Sequence, residues 1–344
     1  MLGRTIKFCY LIILLSFLFF SCRKNANENY PNEFIPVQID DSPKVRLETY
    51  LLSSSNQFSF NVSKADSMHV PVLLIHATGD YSASAIYSSG HTLFTIANTT
   101  GSFNGFDLTN NALLFSKPSG FSTVPAFQNL FLADDIVYVS YYNGNIKGYD
   151  KTGSQKYEVL QSGYFIPDVL FKNEQYFFSE IYYSTLHENK LGVYYHVSGA
   201  TKQECVLDMD IKNMFTLDDN HLLLFGNDTI SGKGKIEIYN ETGNGTILLH
   251  TIPTGLLKNV VQVDRTHYFV SHSGGIYLYS FSLNGLTPFV TGLPVYSLTY
   301  DDVDQELFAC CGNVVRVYNS STGVFQYNIN TVDSVMDVRL LYNK

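Results

Sequence analysis

Six repeated segments of this chain carry a residue at one equivalent position, and most of these residues have side chains able to bind a metal ion. Three of them, Asn129, Asn213 and Asn259, each lie five residues before an aspartate. In chain order the six positions hold Ser84, Asn129, Asp168, Asn213, Asn259 and Tyr296. Converging amide and carboxylate oxygens are the ligands that a hard cation such as calcium prefers. We favour the interpretation that these side chains satisfy backbone groups where strands begin, so no cofactor is predicted, and a calcium site is the alternative.

A histidine and several aromatic residues are the other candidates for chemistry. His272 precedes Ser273-Gly274-Gly275, which predicts a loop where an imidazole could act as a general base or contact a ligand. Four aromatic residues in or beside predicted loops at the same end of the fold are Phe121, Tyr142, Tyr164 and Tyr183. Exposed aromatic rings with polar neighbours suit stacking on a sugar or contact with a protein. The alternative is that half of these rings pack in the core.

The elements that must position these residues form a repeat. Each copy is an apolar strand that ends in an aromatic residue, followed by a polar turn and a glycine or asparagine. The aromatic residues of the six copies are Phe106, Tyr149, Tyr195, Tyr239, Tyr279 and Tyr318. Their spacing of roughly 40 to 46 residues is the length of one four-stranded propeller blade. The glycine of Asp150-Lys151-Thr152-Gly153 supplies the positive φ that a tight hairpin needs.

The two ends of the chain predict one further blade. Ser334 to Leu341 has the apolar content of a single strand, and three strand-like stretches precede the first copy. These stretches are Val45 to Leu52, Phe58 to Val62 and Val70 to Ile75. The four strands together would complete a seventh blade and close the ring, which removes exposed sheet edges. We therefore predict an all-β, seven-bladed β-propeller. Six blades, with the N-terminal stretches as a decoration, is the alternative.

The repeats resemble the YVTN/quinoprotein-like β-propeller superfamily over about residues 83–330. The closest stretch is Leu307 to Tyr327, with Asn313-Val314-Val315-Arg316-Val317-Tyr318-Asn319-Ser320-Ser321-Thr322-Gly323. The chain has no tryptophan, and in this it departs from the quinone-cofactor enzymes and from WD40 blades with their Trp-Asp pairs. The polar ring is similar to the ligand ring of calcium-dependent lactonase-like propellers. That resemblance implies a calcium-dependent hydrolase or lyase as the alternative function.

The first residues predict a targeting segment and a lipid anchor. A basic region with Arg4 and Lys7 precedes the apolar run Leu11 to Phe20, which has the length of a signal-peptide core. Phe19-Phe20-Ser21-Cys22 is similar to a bacterial lipobox, whose cysteine becomes the lipid-modified N-terminus. An ordinary signal peptide is the alternative. The predicted organisation is a signal peptide at 1–21, lipidated Cys22 with a flexible tether at 22–44, and one propeller domain at 45–344.

Charge restricts the class of partner. The chain has 22 basic and 31 acidic residues, a formal net charge of −9, and removal of Arg4 and Lys7 leaves 20 against 31, or −11. Such acidity without a basic patch argues against nucleic acid. We predict a monomeric, non-enzymatic lipoprotein of the cell envelope, lipid-anchored to the outer membrane. Its propeller would bind a protein or glycan partner through loops on one face.

Overall fold

The computed structural model describes a β-rich chain. The described residues are 43–56, 58–79, 81–87, 91–97, 102–118, 127–133, 136–141, 145–160, 169–171, 176–183, 188–195, 200–252 and 255–343. Lys44–Lys344 form one compact unit. Within the described ranges no helix is long and apolar enough to cross a membrane. The predicted signal peptide and Cys22 lie outside these ranges.

The strands form four-stranded antiparallel sheets, numbered in chain order as blades 1 to 6, and a closing blade made from both chain ends. The N-terminal strands are β1 (Arg46–Asn56), β2 (Ser59–Ala65) and β3 (Pro71–Thr78). Blade 1 has β4 (Tyr81–Tyr87), β5 (Thr92–Ala97), β6 (Ser102–Asp107) and β7 (Ala112–Pro118). Blade 2 has β8 (Phe127–Ala133), β9 (Ile136–Tyr141), β10 (Asn145–Tyr149) and β11 (Gln155–Leu160). Blade 3 has β12 (Val169–Phe171), β13 (Tyr176–Tyr183), β14 (Glu188–Tyr195) and β15 (Thr201–Leu207).

The second half of the chain repeats the plan and ends in the innermost strand of the closing blade. Blade 4 has β16 (Met209–Thr216), β17 (His221–Asp228), β18 (Gly234–Asn240) and β19 (Gly245–Thr251). Blade 5 has β20 (Leu257–Gln262), β21 (His267–His272), β22 (Gly275–Ser280) and β23 (Gly285–Thr291). Blade 6 has β24 (Ser297–Asp301), β25 (Glu306–Cys310), β26 (Val314–Asn319) and β27 (Phe325–Asn330), and the last strand is β28 (Ser334–Tyr342).

The sheets are joined through their innermost strands. Strand β28 contacts β4, β4 contacts β8, and the contacts continue through β12, β16, β20 and β24 back to β28. Sheets connected in this way form a closed β-propeller. The closing blade has the order β28-β1-β2-β3, with Leu51 of β1 paired to Val338 of β28. The predicted seven-bladed fold and its closure by the two chain ends are confirmed, and the six-bladed alternative is wrong.

The strand order gives the ring two different faces. In each blade the innermost strand is followed outward by a second, a third and a fourth strand, each antiparallel to the one before. The loops that lead into the innermost strand, and those that join the second and third strands, therefore lie at one end, the top face. The turns that follow the innermost strand, and those between the third and fourth strands, lie at the opposite end, the bottom face.

An aromatic residue near the end of the third strand packs in the core between adjacent blades. These residues are Phe106, Tyr149, Tyr194, Tyr239, Tyr279 and Tyr318, all at most 6% exposed. The predicted strand end in blade 3, Tyr195, is the last residue of β14 but is 43% exposed, and the fully buried Tyr194 takes the core position. Successive strand residues point to opposite sides of a sheet, so only one of two adjacent tyrosines can face the core. The pairing of Tyr194 with Phe177 decides which one does.

The polar residue after this aromatic ring holds a turn on the bottom face. In blade 2 the Oδ1 of Asp150 accepts hydrogen bonds from the backbone N–H and the hydroxyl of Thr152, at 2.9 and 2.7 Å. In blade 6 Asn319 accepts the same pair of bonds from Thr322, at 3.0 and 2.8 Å. The bonds from Thr152 stabilise the ionised carboxylate and lower the pKa of Asp150 to about 2. The most visible repeat in the sequence therefore encodes a turn.

Candidate functional site

The innermost strands enclose a cavity of about 420 Å³. Its wall is built from β8, β16, β20, β24 and β28. The polar residues that line it are Lys212, Asn213, Asn259, Ser297, Asp337 and Arg339. A cavity of this volume has the size of a small-molecule site. Two residues of the predicted ring, Asn213 and Asn259, therefore do share one cavity, and we call this space the channel cavity.

A β-bulge precedes each of these two asparagines. Register shifts in the pairing of β16 with β17 and of β20 with β21 leave Lys212 and Lys258 as extra residues. Each lysine comes immediately before the asparagine of its strand. A bulge leaves one residue out of the ladder and bends the strand, so it re-aims the side chains beside it. The sequence spacing that identified Asn213 and Asn259 therefore reflects a repeated irregularity of the backbone.

The amide oxygens of the two asparagines bind the backbone of the next blade. The Oδ1 of Asn213 accepts the N–H of Val260 at 3.1 Å, and the Oδ1 of Asn259 accepts the N–H of Leu298 at 3.0 Å. Each bond joins one inner strand to its neighbour. These two oxygens therefore accept backbone hydrogen bonds, as one of the two interpretations of the sequence pattern expected. The donors, however, belong to the next blade. A calcium ion would have to compete with these N–H groups for the same oxygens.

The closing blade supplies a charged pair that the sequence pattern missed. The Oδ2 of Asp337 lies 2.6 Å from the Nη2 of Arg339. The Nε of Arg339 donates to the Oγ of Ser84 at 2.9 Å, and this hydroxyl lies 3.3 Å from the same carboxylate oxygen of Asp337. Ser84, one of the predicted ring positions, is only 2% exposed. Strands β4 and β28 are thus joined by a small polar network beside the channel cavity.

A signal for this pair was present in the sequence. The segment Val335-Met336-Asp337-Val338 has the pattern of Ile211-Lys212-Asn213-Met214, and a register shift leaves Met336 out of the β28 ladder as Lys212 is left out of β16. Treating the last strand as a seventh copy of the inner strand would have aligned Asp337 with the asparagines. The prediction used that strand only to close the ring.

One ring position is shifted by a residue from its prediction. Leu298 donates to Asn259 as Val260 donates to Asn213, so Ser297 is the equivalent of Asn259 in blade 6. The prediction named Tyr296, which is 55% exposed and does not line the channel cavity. Strand β24 pairs with β25 without a register shift. The absence of the bulge in this strand explains the shift of one residue.

His272 is the last residue of β21 and is not in a loop. Its ring is 1% exposed, its Nδ1 accepts the backbone N–H of Gly274 at 3.0 Å, and its centroid lies 4.4 Å from that of Tyr277. Burial disfavours the charged imidazolium, so the pKa of His272 is lowered. It is not among the residues that line the channel cavity. Its role as a base or ligand contact stays a prediction.

Most of the predicted aromatic site cannot be placed. Three of its residues lie outside the described ranges: Phe121, Tyr142 and Tyr164. The side chain of the fourth, Tyr183 in β13, is also not described. The same holds for two positions of the predicted polar ring, Asp168 and the side chain of Asn129 in β8. The neighbouring Tyr141 is 3% exposed, and its hydroxyl lies 2.9 Å from that of Tyr149. This one aromatic residue of the region is therefore part of the core.

Exposed apolar side chains lie on the top face. We call them the top-face apolar set: Phe58, Ile230, Leu256, Tyr296, Val332 and Met336, which are 40 to 96% exposed. Leu256 and Tyr296 directly precede the inner strands β20 and β24, and Met336 lies within β28. The turns that follow inner strands on the bottom face carry Asp218, Asp219, Asp264, Asp302 and Asp304 instead. The chain therefore enters the described inner strands of blades 5 and 6 beside apolar side chains and leaves them in acidic turns.

Comparisons with known proteins support the architecture. No protein-family model matches the chain, and no curated protein does either. The WD40 β-propeller domain of Doa1 matches with a TM-score of 0.61 at 14% identity, covering 77% of this chain and 88% of that domain. The computationally designed protein Ika8 matches with a TM-score of 0.56 at 14% identity, covering 85% and 87%. Apo AztD from Citrobacter koseri matches with a TM-score of 0.54 at 11% identity, covering 86% and 98%.

These similarities define a class of protein and not an activity. At identities of 11 to 14% the shared feature is the fold, and one fold hosts many unrelated functions. The chain is a seven-bladed β-propeller whose closing blade combines both ends of the folded unit. Its function has to be argued from its own surfaces.

Proposed function

We propose that this protein is a non-enzymatic binding module whose top face docks a protein partner. The observation that carries the proposal is the difference between the two ends of the inner strands. Exposed apolar side chains lie where the chain enters blades 5 and 6 and the closing blade, and carboxylates occupy the turns that follow inner strands on the opposite face. An exposed apolar surface loses unfavourable contact with water when a partner covers it. A rigid ring presents such a surface with little ordering cost.

The chemistry of the top-face apolar set favours a protein over a glycan. Four of its six members are aliphatic, including Ile230 and Val332, which are 93% and 96% exposed. Sugars are bound by flat aromatic rings together with fixed hydrogen-bonding groups. Aliphatic and aromatic side chains surrounded by polar residues are instead typical of the centre of a protein interface. A glycan partner becomes an outcome of the experiment below.

The alternative predicted from sequence, a calcium-dependent hydrolase or lyase, has less support. Asn213 and Asn259 use their amide oxygens to accept backbone N–H groups of the next blade. Asp337, the carboxylate among the described cavity residues, lies 2.6 Å from Arg339. Calcium sites need several oxygen ligands that are free to turn toward the ion.

The proposal places the module on a membrane through lipid at Cys22. Its support is the lipobox-like sequence Phe19-Phe20-Ser21-Cys22 after a basic and apolar segment. In cells of the source organism, the wild-type chain should incorporate a radiolabelled fatty acid and sediment with the outer membrane. The Cys22→Ala variant should do neither. Equal labelling of the two chains would remove the anchor from the proposal and leave the docking surface untouched.

Site-specific photo-crosslinking in intact cells tests the docking surface. A benzoylphenylalanine at Val332 or Ile230 should give an adduct of one fixed mass. The matched control is Leu283, which is 82% exposed but lies in a bottom-face turn of blade 5. No adduct, or the same adduct from Leu283, would contradict the proposal. An adduct that glycosidase treatment removes would identify a glycan partner.

A substitution then shows that the apolar surface itself binds. Tyr296→Asp introduces a charge at a 55% exposed position of the top-face apolar set, where the fold should tolerate it. It should abolish the adduct formed from Val332. The equivalent change Leu283→Asp should leave that adduct unchanged. Persistence of the adduct in Tyr296→Asp would show that the apolar set is not the contact.

A further inference from the structure

The geometry points to a second site, in the channel cavity, that binds a small molecule bearing a carboxylate or another oxyanion. This site is independent of the top-face apolar set and of any protein partner. It rests on three observations about the described wall of the cavity. These are the orientation of two side-chain amides, the net charge of the lining residues, and the hydrogen-bond donors that already contact the carboxylate of Asp337.

The first observation is that Asn213 and Asn259 present their amide nitrogens as the remaining hydrogen-bonding groups. Each Oδ1 accepts a backbone N–H of the next blade. Within a side-chain amide only the oxygen can accept a bond from an N–H, so this contact also fixes which end of each amide is the nitrogen. Among the described residues neither Nδ2 has a hydrogen-bond partner, and both side chains line the cavity. An NH₂ group donates and cannot ligate a cation.

The second observation is the charge of the lining. The charged residues of the described wall are Lys212, Arg339 and Asp337, which sum to +1. Lys212 is paired with Asp210 at 2.7 Å, but both side chains are well exposed, at 37% and 46%. An ion pair in water contributes little and is readily exchanged for another anion. The wall therefore has a positive balance in a protein whose formal net charge is −9.

The third observation is that Asp337 has donors on both of its oxygens. Its Oδ1 accepts the N–H of Val338 at 2.9 Å and lies 3.5 Å from the hydroxyl of Ser297. Its Oδ2 lies 2.6 Å from the Nη2 of Arg339 and 3.3 Å from the hydroxyl of Ser84. A carboxylate with four such neighbours has its charge compensated inside the protein. It is therefore a poor ligand for a cation and a weak repulsive centre for an anion.

Together these features suit an oxyanion. Two asparagines and a lysine whose side chains carry donors line the same cavity, and charge-assisted bonds from such donors to an oxyanion are the stronger ones. The volume of about 420 Å³ lies within the range of small-molecule sites. Calcium, the alternative cofactor in the sequence analysis, requires oxygens, and those of Asn213 and Asn259 already accept backbone N–H groups of the next blade. Only binding is inferred, with no chemical step.

Thermal unfolding of the full-length chain tests this inference. The melting temperature is measured in sodium lactate, sodium benzoate and sodium phosphate against sodium chloride of equal ionic strength. A ligand that binds only the folded protein raises the melting temperature, so at least one of the three anions should raise it by several degrees. Lactate or benzoate would indicate an organic acid, and phosphate alone would indicate an inorganic anion. No rise in any of them, or a rise with calcium chloride instead, would overturn the inference.

Two substitutions locate the effect in the cavity. Asn213→Asp keeps an oxygen that can accept the N–H of Val260 but replaces the donor with a negative charge, so titration calorimetry should show binding at least tenfold weaker. Lys212→Met should also weaken it several-fold. The matched control is Lys258→Met, which removes the same charge from the equivalent bulge one blade further on, where the side chain does not line the channel cavity.

The anion affinities of the three variants together show whether the channel cavity is the binding site. Weak binding in Asn213→Asp and Lys212→Met with unchanged binding in Lys258→Met supports a built site. Equal losses in the two lysine variants would show a diffuse charge effect and overturn the inference. Unchanged binding in Asn213→Asp would place the anion elsewhere and overturn it as well. Melting temperatures without ligand, measured for all three variants, separate loss of binding from loss of folding.

Discussion

The junction that closes the ring is held by charges, whereas a junction inside the ring is held by neutral amides. At the closure Arg46 of β1 contacts three carboxylates of blade 6: Asp301 at 2.7 Å, Asp304 at 2.9 Å and Glu306 at 2.6 Å. Between blades 4 and 5, the buried Asn227 donates to the carbonyl of Leu257 at 3.0 Å and accepts its N–H at 2.7 Å.

The connectivity of the chain explains the difference. Blades 4 and 5 follow each other in sequence, so the chain itself keeps them close, and the neutral bonds of Asn227 and of Asn213 add to that connection. Arg46 and Asp301 are 255 residues apart, and the entropy cost of closing a loop grows with its length. The N-terminal strands therefore need strong contacts of their own to stay in place. The three carboxylates lie within 4.8 Å of one another, and Arg46 serves as their counter-ion.

Removal of Arg46 should have the largest effect on the comparison. Arg46→Met leaves Asp301, whose side chain is fully buried, and Glu306, which is 10% exposed, without a positive partner. Breaking a buried ion pair on one side costs about 3 to 5 kcal/mol, and urea unfolding should show a loss of that size. The control Arg265→Met removes an exposed arginine from a turn in blade 5 and should cost less than about 0.5 kcal/mol. A loss smaller than that of Asn227→Ala, the variant of the internal junction, would contradict the distinction between the two junctions.

Removal of the amide at the internal junction should cost less. Asn227→Ala deletes both hydrogen bonds to Leu257 and leaves two buried backbone groups unsatisfied, which is expected to cost about 2 kcal/mol. Amide hydrogen exchange should show faster exchange at Leu257 and little change in the closing blade. The matched control is the exposed Asn220, whose substitution by alanine should be near neutral. Faster exchange throughout the ring would show that this junction also controls closure.

Removal of one hydroxyl group at the closure should have a smaller effect than removal of Arg46. The hydroxyl of Tyr342 in β28 donates to the Oδ1 of Asp301 at 3.2 Å. Tyr342→Phe removes one bond to a charged group and keeps the ring, so about 1 to 2 kcal/mol of stability should be lost. Tyr296→Phe, at an exposed tyrosine of the top face, provides the control. Combined with Arg46→Met, the loss from Tyr342→Phe should be non-additive, because both side chains contact Asp301.

The smallest effect is expected where bonds stay within one hairpin. Thr152 stabilises the charged form of Asp150 and holds its pKa near 2, below the ordinary value of 3.8. Because the folded-state pKa is the lower one, this contribution to stability is present above pH 3.8 and is lost as the pH falls toward 2. In Thr152→Val the pKa of Asp150 should rise toward 3.8, and an NMR titration of its carboxyl group measures it. An unchanged pKa would show that the backbone bonds alone cause the shift.

The fold could be predicted from sequence because each blade is a local unit. The third and fourth strands of a blade are joined by a short turn, and an aspartate or asparagine with a following threonine encodes that turn within a few residues. Local signals of this kind repeat with the blade and therefore reveal its length. The apolar stretches at the two chain ends then account for the strands that a seventh blade requires.

Single-residue registers could be predicted only in part. Tyr194 and Tyr195 are equally good aromatic ends for a strand, and residue type alone does not show that Tyr194 is the one in the core. In the same way the sequence predicted Tyr296 at the ring position that Ser297 occupies, because a bulge is absent from β24. A shift of one residue turns a side chain to the opposite face of a sheet. Such shifts depend on pairing with neighbouring strands, and residue types do not encode them.

The sequence by itself determined the repeat, the number of blades and the closure by both chain ends, since these follow from strand length, turn chemistry and the saturation of sheet edges. Only the tertiary structure decided what the polar ring does. It turned the oxygens of Asn213 and Asn259 toward neighbouring backbone and left their nitrogens to the cavity. It also brought Arg46 to Asp301 across 255 residues. The physical reason is that hydrogen-bond direction and long-range ion pairs arise from the relative placement of blades, and no local stretch of sequence contains that placement.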